Sequence, residues 1–303
     1  MVSVPAEDLS VIIVSYNSID PLKNCLNSIL STLQDTKFRV YVVDNNSLDG
    51  TPKMLRENFP QVSLIVNSKN EGFAKANNQA LKIATGRYVL LLNPDTIVFD
   101  HTFDVMAKFM DEHPEAAVAS CKLLRPDGRL DLACRRSFPS PFDGFCRAIG
   151  LSKLFPSSPL FARYNLTYLD ENETYEVDAV NGAFMIVRRA ALNEVGLLDE
   201  DYFLFTEDMD WCYRFKKAGW KIYYYPQTQV IHAKGESSKK VTSAIINEFF
   251  KSMKIFYGKH YGDKRSYIFS KFVKGGIEIW KIATLIKHYF SKGGGARPWY
   301  YEK

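Results

Sequence analysis

Three short polar clusters in the first hundred residues each follow directly on an apolar run: Ser15-Tyr16-Asn17, Asp44-Asn45-Asn46-Ser47 and Asn93-Pro94-Asp95. A lone Asp or Asn in such a place is ordinarily a turn residue. Chance supplies one cluster of this kind; three in step point to a single site. Their carboxylates, Asp44 and Asp95, can accept N–H groups or hold a hard cation through oxygen. Glu207-Asp208 follow Thr206 at the head of a helical run, where the helix dipole keeps carboxylates ionised and ready to take a proton. Acidic residues also favour first turns for stability alone, so the pair has a structural reading beside the chemical one. His232, an isolated histidine, likewise reads as structural or as a ligand.

The elements that must position these residues follow from hydrophobic periodicity. Leu9–Ser15 (LSVIIVS), Arg39–Val43, Val62–Val66 and Tyr88–Leu92 are short, β-branched or apolar runs that read as buried strands. Between them lie helical patterns: one entered through Asp20-Pro21 as cap and first-turn proline, one over Thr51–Phe59, and one over Glu71–Ala84 closed by Gly86. This alternation predicts an α/β fold of Rossmann-like type, a mostly parallel sheet with flanking helices. Each cluster then falls at a strand's carboxyl end, where such folds bind ligands.

Residues 137–165 mix Pro, Ser and aromatics without a period and read either as a lid-like loop or as an insertion packed on the core. Glu176–Val187 resumes strand character, Thr206 can cap a helix over Glu207–Ala218 that ends at Gly219, and Trp220–Tyr225 and Val230-Ile231 read as further strands. The expected division is a catalytic unit over 1–235, with halves of about 9–100 and 101–235, and a helical C-terminal region over 236–303. In that region Phe272, Ile279, Ile282, Ala283, Ile286 and Phe290 recur at helical spacing among Lys271, Lys274, Lys281 and Lys287. An amphipathic helix at an anionic lipid surface fits this pattern, and so does a helix docked on the preceding unit; Gly275-Gly276 weaken either helix.

Charge divides the chain in the same way. From Lys234 onward 15 Lys or Arg face 5 Asp or Glu, whereas residues 1–233 hold 24 basic and 29 acidic groups. An acidic front argues against nucleic acid, whose phosphates need a basic surface. Five cysteines without a CxxC pair fit a reducing compartment rather than a disulfide framework. The opening MVSVPAEDLS lacks the layout of a signal peptide, and no run of 18 apolar residues occurs. The expectation is a cytoplasmic protein, peripheral on the membrane without crossing it, with self-association left open.

The ordered set VIIVSYNS, VVDNNSLDGT, NEGFAKANNQAL, LLLNPDT, VNGAFMIVRR, FTEDMDWCYR and VIHAKGES resembles the family 2 glycosyltransferases of the GT-A fold, within them the bacterial rhamnosyltransferase-like branch. The match spans roughly residues 9–236. The resemblance implies an inverting transfer of a sugar, best read as L-rhamnose from dTDP-rhamnose and otherwise from a UDP-linked donor, to a saccharide or lipid-linked saccharide acceptor in cell-surface polysaccharide synthesis. It places the donor's nucleotide and sugar at Ser15, Tyr16, Asn17, Asp44, Asn46, Asn70, Gly72, Asn77 and Asn93, with Asp178 and Asn181 beside the acceptor. Tyr16 would cover the base, Asp44 would accept its imide N–H, Gly72 would let backbone approach closely, and Asn77 would offer an amide. Asp208 would be the base, assisted by Glu207. A divalent metal, Mg or Mn, would sit on Asp95 with His232. Relatives often carry two acids where this chain has Asn93-Pro94-Asp95, so the histidine is expected to complete the set. A nucleotidyltransferase is disfavoured because strand one runs into Ser15-Tyr16-Asn17-Ser18, with no glycine before Gly50. A non-catalytic sugar-nucleotide-binding protein would not need Asp95, Glu207 and Asp208, and all three are present.

Overall fold

The computed structural model describes residues 7–233, 242–262 and 265–290. The boundary expected near residue 235 lies outside the described residues, as does the part of VIHAKGES beyond Ala233.

β1 (Leu9–Ser15) is wholly buried, and β2 (Phe38–Asp44) pairs with it in parallel after α1 (Ile19–Ser31). The helix starts one residue ahead of Asp20-Pro21, so Ser18 takes the cap position. α2 (Thr51–Asn58), β3 (Ser63–Val66), α3 (Phe73–Leu81) and β4 (Tyr88–Leu92) complete the first half, close to the spans that periodicity predicts. Gly86, however, does not cap α3. A Cβ there would lie 2.7 Å from the Ser10 nitrogen, so this glycine lets β4 enter beside β1.

The second half is more tangled. β5 (Thr96–Val98), α4 (Thr102–Glu112) and β6 (Ala116–Leu124) are followed by a 3₁₀ turn at Leu132–Cys134. Segment 137–165 is an ordered insertion with α5 (Pro141–Ala148) and α6 (Leu151–Leu154). Ser140 and Asp143 form a reciprocal capping box, and Arg163 closes on Asp143 at 2.9 Å. The single strand expected over 176–187 is instead β7 (Tyr175–Glu176) and β8 (Phe184–Arg188), separated by a loop. That loop carries Asp178, Asn181 and Gly182.

α7 (Arg189–Val195), α8 (Glu207–Lys217) and β9 (Lys221–His232) follow. The two strands expected at 220–225 and 230–231 are one, kept continuous past Pro226 by register shifts against β6. The strand order is β3-β2-β1-β4-β8-β6-β9-β5, with β7 on β9. Among the described residues β3-β2-β1-β4 and the β6/β9 pair are parallel, and the other four pairings are antiparallel. The sheet is therefore mixed, because β8 returns between β4 and β6. All five cysteines are buried and unpaired.

α9 (Ser243–His260) docks on the sheet domain rather than standing apart. His260 meets Asp210 at 2.7 Å and its ring lies 4.0 Å from Tyr213. α10 (Tyr267–Phe290) packs on α9 through Trp280 on Phe250, at 5.5 Å between ring centroids, and a Lys254–Glu278 ion pair. The helix runs unbroken through Gly275-Gly276. Among the described residues no helix is long and apolar enough to cross a membrane.

Candidate active site

The carboxyl ends of β1, β2 and β4 open into one cavity of about 990 Å³, lined by Tyr16, Asn17, Asn70, Gly72, Asn93, Asp95, Asn181, Glu207, Asp208 and His232. The sequence clusters therefore do converge. They arrive by different means.

Asp44 ends β2 fully buried. One carboxylate oxygen accepts from the Ser47 N–H at 3.0 Å; the other, Oδ1, has no partner among the described residues. A buried acceptor left so is uncommon; Asp44 itself does not line the cavity, but the next residue, Asn45, does. Tyr16, just past β1, lines the cavity and is 46% exposed, an aromatic face open for stacking. Asn17 and Asn46 adopt left-handed conformations, and the Asn17 side chain accepts from Leu48 N–H, so both shape the loop. Ser15 is buried and bonded to Ser18 at 2.9 Å, and neither it nor Asn46 lines the cavity.

Asn45, part of the second cluster but not among the residues expected to bind, ties these loops together. Its amide donates to Asn70 Oδ1 and the Gly72 carbonyl, and its oxygen accepts from Asn67 and the Glu71 N–H. Gly72 has φ +82°, and a Cβ would lie 2.6 Å from the Phe203 carbonyl, so the close approach expected of it is to the 203 segment. Asn77 corrects an expectation: it is buried, but its amide donates back to the Phe73 carbonyl at 2.9 Å and it does not line the cavity.

Asp95 and His232 come together across the β5/β9 pairing, with Asp95 Oδ1 3.3 Å from Nε2. The other ring nitrogen, Nδ1, meets Asp131 at 3.1 Å, and Asn93 Nδ2 lies 3.2 Å from Nε2. Burial alone would lower the histidine's pKa, but hydrogen bonds to Asp131 and Asp95 outweigh it and raise it to about 9. Asp131, at 1% exposure and cavity-lining, is the partner missed in the sequence. Its only signal there was a polar residue between Leu130 and Leu132. A second histidine–carboxylate group, Asp35, His101 and Asp104, does not line the cavity. Asp104 instead accepts from Asp35 N–H, Thr36 N–H, the Thr36 hydroxyl and His101.

Glu207 and Asp208 open α8 as expected, but Thr206 does not cap with its side chain. Phe205 and Thr206 are both left-handed, at φ 71° and 70°, and the Thr206 hydroxyl lies 3.0 Å from Ser252 Oγ on α9. Two consecutive non-glycine residues in this region store strain, on the order of 1–3 kcal/mol each. Asp208 Oδ2 accepts from Arg136 at 2.7 Å and from the Gly182 N–H at 3.2 Å, while Oδ1 accepts from Met209 N–H. Arg136 has no sequence signal; it follows Arg135, whose guanidinium binds the Asp170 and Leu169 carbonyls elsewhere. Burial, and then the adjacent Asp208 charge, push the Glu207 carboxyl up to about 8, and its Oε2 has no partner among the described residues. Asp178 corrects a further expectation. Its carboxylate accepts from Phe138 N–H and Lys216, pinning the insertion to α8, and it does not line the cavity.

The mixed α/β sheet, and the carboxylate–histidine cluster and helix-N-terminal acidic pair that line one cavity, fit a nucleotide-sugar-dependent glycosyltransferase of GT-A type. Residues 10–196 match the model of glycosyl transferase family 2. The chain belongs to that family, whose members invert the anomeric centre. It is 29% identical over 259 residues to the N-acetylglucosaminyl-diphospho-decaprenol L-rhamnosyltransferase of Mycobacterium tuberculosis, covering 82% of this chain and 83% of that one. It is 28% identical to the rhamnosyltransferase WbbL of Escherichia coli K12, covering 73% and 82%. In fold it is similar to the mannosyltransferase PcManGT of Pyrobaculum calidifontis, solved with GDP-Man and Mn²⁺, with TM-score 0.57, 19% identity, and coverage of 96% and 77%.

Proposed function

We propose that the chain transfers L-rhamnose from dTDP-rhamnose to a hydroxyl of a lipid-linked saccharide in cell-surface polysaccharide synthesis. The observation that carries this reading is the convergence, in one cavity, of Tyr16 and Asn45 beside the buried Asp44, of Asp95 with His232, and of the Glu207-Asp208 pair. The rhamnosyltransferases of M. tuberculosis and E. coli support the sugar and, for the first, the prenyl-diphosphate acceptor.

In this reading Asp44 Oδ1 accepts the imide N–H of thymine and Tyr16 covers the ring. A divalent cation fits the oxygen and nitrogen donors of Asp95 and His232, with Asp131 on Nδ1 presenting Nε2 as the ligand atom. When bound, the cation neutralises the diphosphate leaving group. Arg136 and the Gly182 N–H hold Asp208 so that its less engaged Oδ1 takes the acceptor's proton as the hydroxyl attacks the anomeric carbon. Glu207, kept neutral near pH 7, can donate a hydrogen bond to the acceptor and adds no repulsion beside Asp208. The alternative UDP-sugar donor uses the same contacts, since uracil carries the same imide.

The test is transfer itself. Incubation with dTDP-rhamnose, UDP-sugars, Mg²⁺ or Mn²⁺ and a prenyl-diphosphate-linked N-acetylglucosamine should release dTDP and yield a rhamnosylated product. Preference for a UDP-sugar, or no product with any donor, contradicts the proposal.

A further inference from the structure

The cavity, at about 990 Å³, stands at the top of the roughly 300–1,000 Å³ range of ligand sites. The end of it that the C-terminal helices wall, beside the insertion, is largely apolar. The insertion contributes Pro141 and Phe145, and the C-terminal helices contribute Phe256, Val273, Ile277 and Trp280. Val273, Gly276, Ile277 and Trp280 recur at helical spacing, so one stripe of α10 faces the cavity. Gly276 lies on that stripe, and a Cβ added there meets nothing within 4 Å. A glycine inside a helix costs about 1 kcal/mol against alanine, and here it leaves the wall open.

The adjacent face of α10 carries Phe272, Ile279, Ile282 and Ile286, each more than half exposed, with Lys271, Lys274 and Lys287 nearby. Phe272 belongs to this face and also lines the cavity, so the apolar end opens onto it. Resting on the lipid-linked acceptor proposed above, we propose that this end binds the first isoprenoid units of a prenyl-diphosphate-linked saccharide, the chain leaving past Phe272 into an anionic lipid surface. Three features select this occupant. The apolar end is continuous with Glu207 and Asp208, Arg147 lines the same cavity and offers charge to a diphosphate, and the region from Lys234 onward is strongly basic.

The test uses the full chain and farnesyl diphosphate as probe, followed by calorimetry and tryptophan fluorescence. Saturable binding is expected, weakened roughly tenfold or more in Gly276→Leu, which fills the open wall while favouring the helix. Binding that is absent, or equal in wild type and variant, overturns the inference. Transfer assays separate it from the functional reading. With farnesyl- and ethyl-diphosphate-linked N-acetylglucosamine as acceptors, Gly276→Leu should raise KM for the farnesyl acceptor alone. Transfer with equal KM for both acceptors in both proteins would refute the prenyl site and leave the transferase standing. Farnesyl diphosphate binding without any transfer would do the reverse. Phe272→Asp should lower recovery on anionic phosphatidylglycerol vesicles; unchanged recovery removes the membrane exit.

Discussion

Arg136 Nη2 lies 2.7 Å from Asp208 Oδ2, and both side chains are about one-tenth exposed. The guanidinium also donates to the Val180 carbonyl, so it joins the loop between β7 and β8 to the head of α8. Removing one partner of such a pair leaves a buried charge, at a cost of roughly 3–5 kcal/mol. Arg136→Met should therefore lower the melting temperature and reduce kcat while leaving the donor KM near its original value. Kinetics and thermal denaturation on the same preparation check this; a changed donor KM with normal kcat would place Arg136 on the donor instead.

Glu207 gives a pH signature. Its value in the folded protein, about 8, lies above the ordinary 4.5, so folding favours the neutral carboxyl. That contribution is fully present below about 4.5 and is lost as pH rises through about 8. Between these limits the wild type should lose stability relative to Glu207→Gln. Melting temperatures at pH 5, 6.5 and 8 for both proteins test it, and parallel curves would contradict it.

Asp44→Asn keeps an oxygen for the Ser47 N–H but loses the charged acceptor at Oδ1. Hydrogen bonds to charged groups are worth about 1.5–3 kcal/mol, so the donor KM should rise roughly 10- to 100-fold with kcat little changed. A fall in kcat alone would move Asp44 out of the base pocket.

Asp131→Asn tests the support of His232. Loss of a hydrogen-bonded partner behind a metal ligand typically costs about 10–100-fold in metal affinity. The Mg²⁺ or Mn²⁺ concentration for half-maximal activity should rise by that order. An unchanged value would mean that His232 holds no cation.

The sequence was most informative where one strand or one loop does the work. β1, β2 and β4 carry dense β-branched and apolar runs, and the clusters after them were readable as one site. What escaped it were relationships across distant elements. Arg136 reaches Asp208 over 72 residues and Asp131 reaches His232 over 101, distances at which no periodicity operates. Asn77 and Asp178 show the opposite failure. Both residue types suit a ligand, but the backbone of Phe73 and Phe138 claims them first. The break between β7 and β8 was hidden because buried loop residues such as Val177, Ala179 and Val180 are as apolar as a strand.

The central claim is that Asp208 takes the acceptor's proton. Its most direct test is the rate of dTDP release from saturating dTDP-rhamnose with acceptor and divalent cation, in wild type and Asp208→Asn, beside the donor's dissociation constant for each. The expected result is unchanged donor binding and a rate lower by roughly 10²–10⁴-fold. A near-native rate in Asp208→Asn would contradict it.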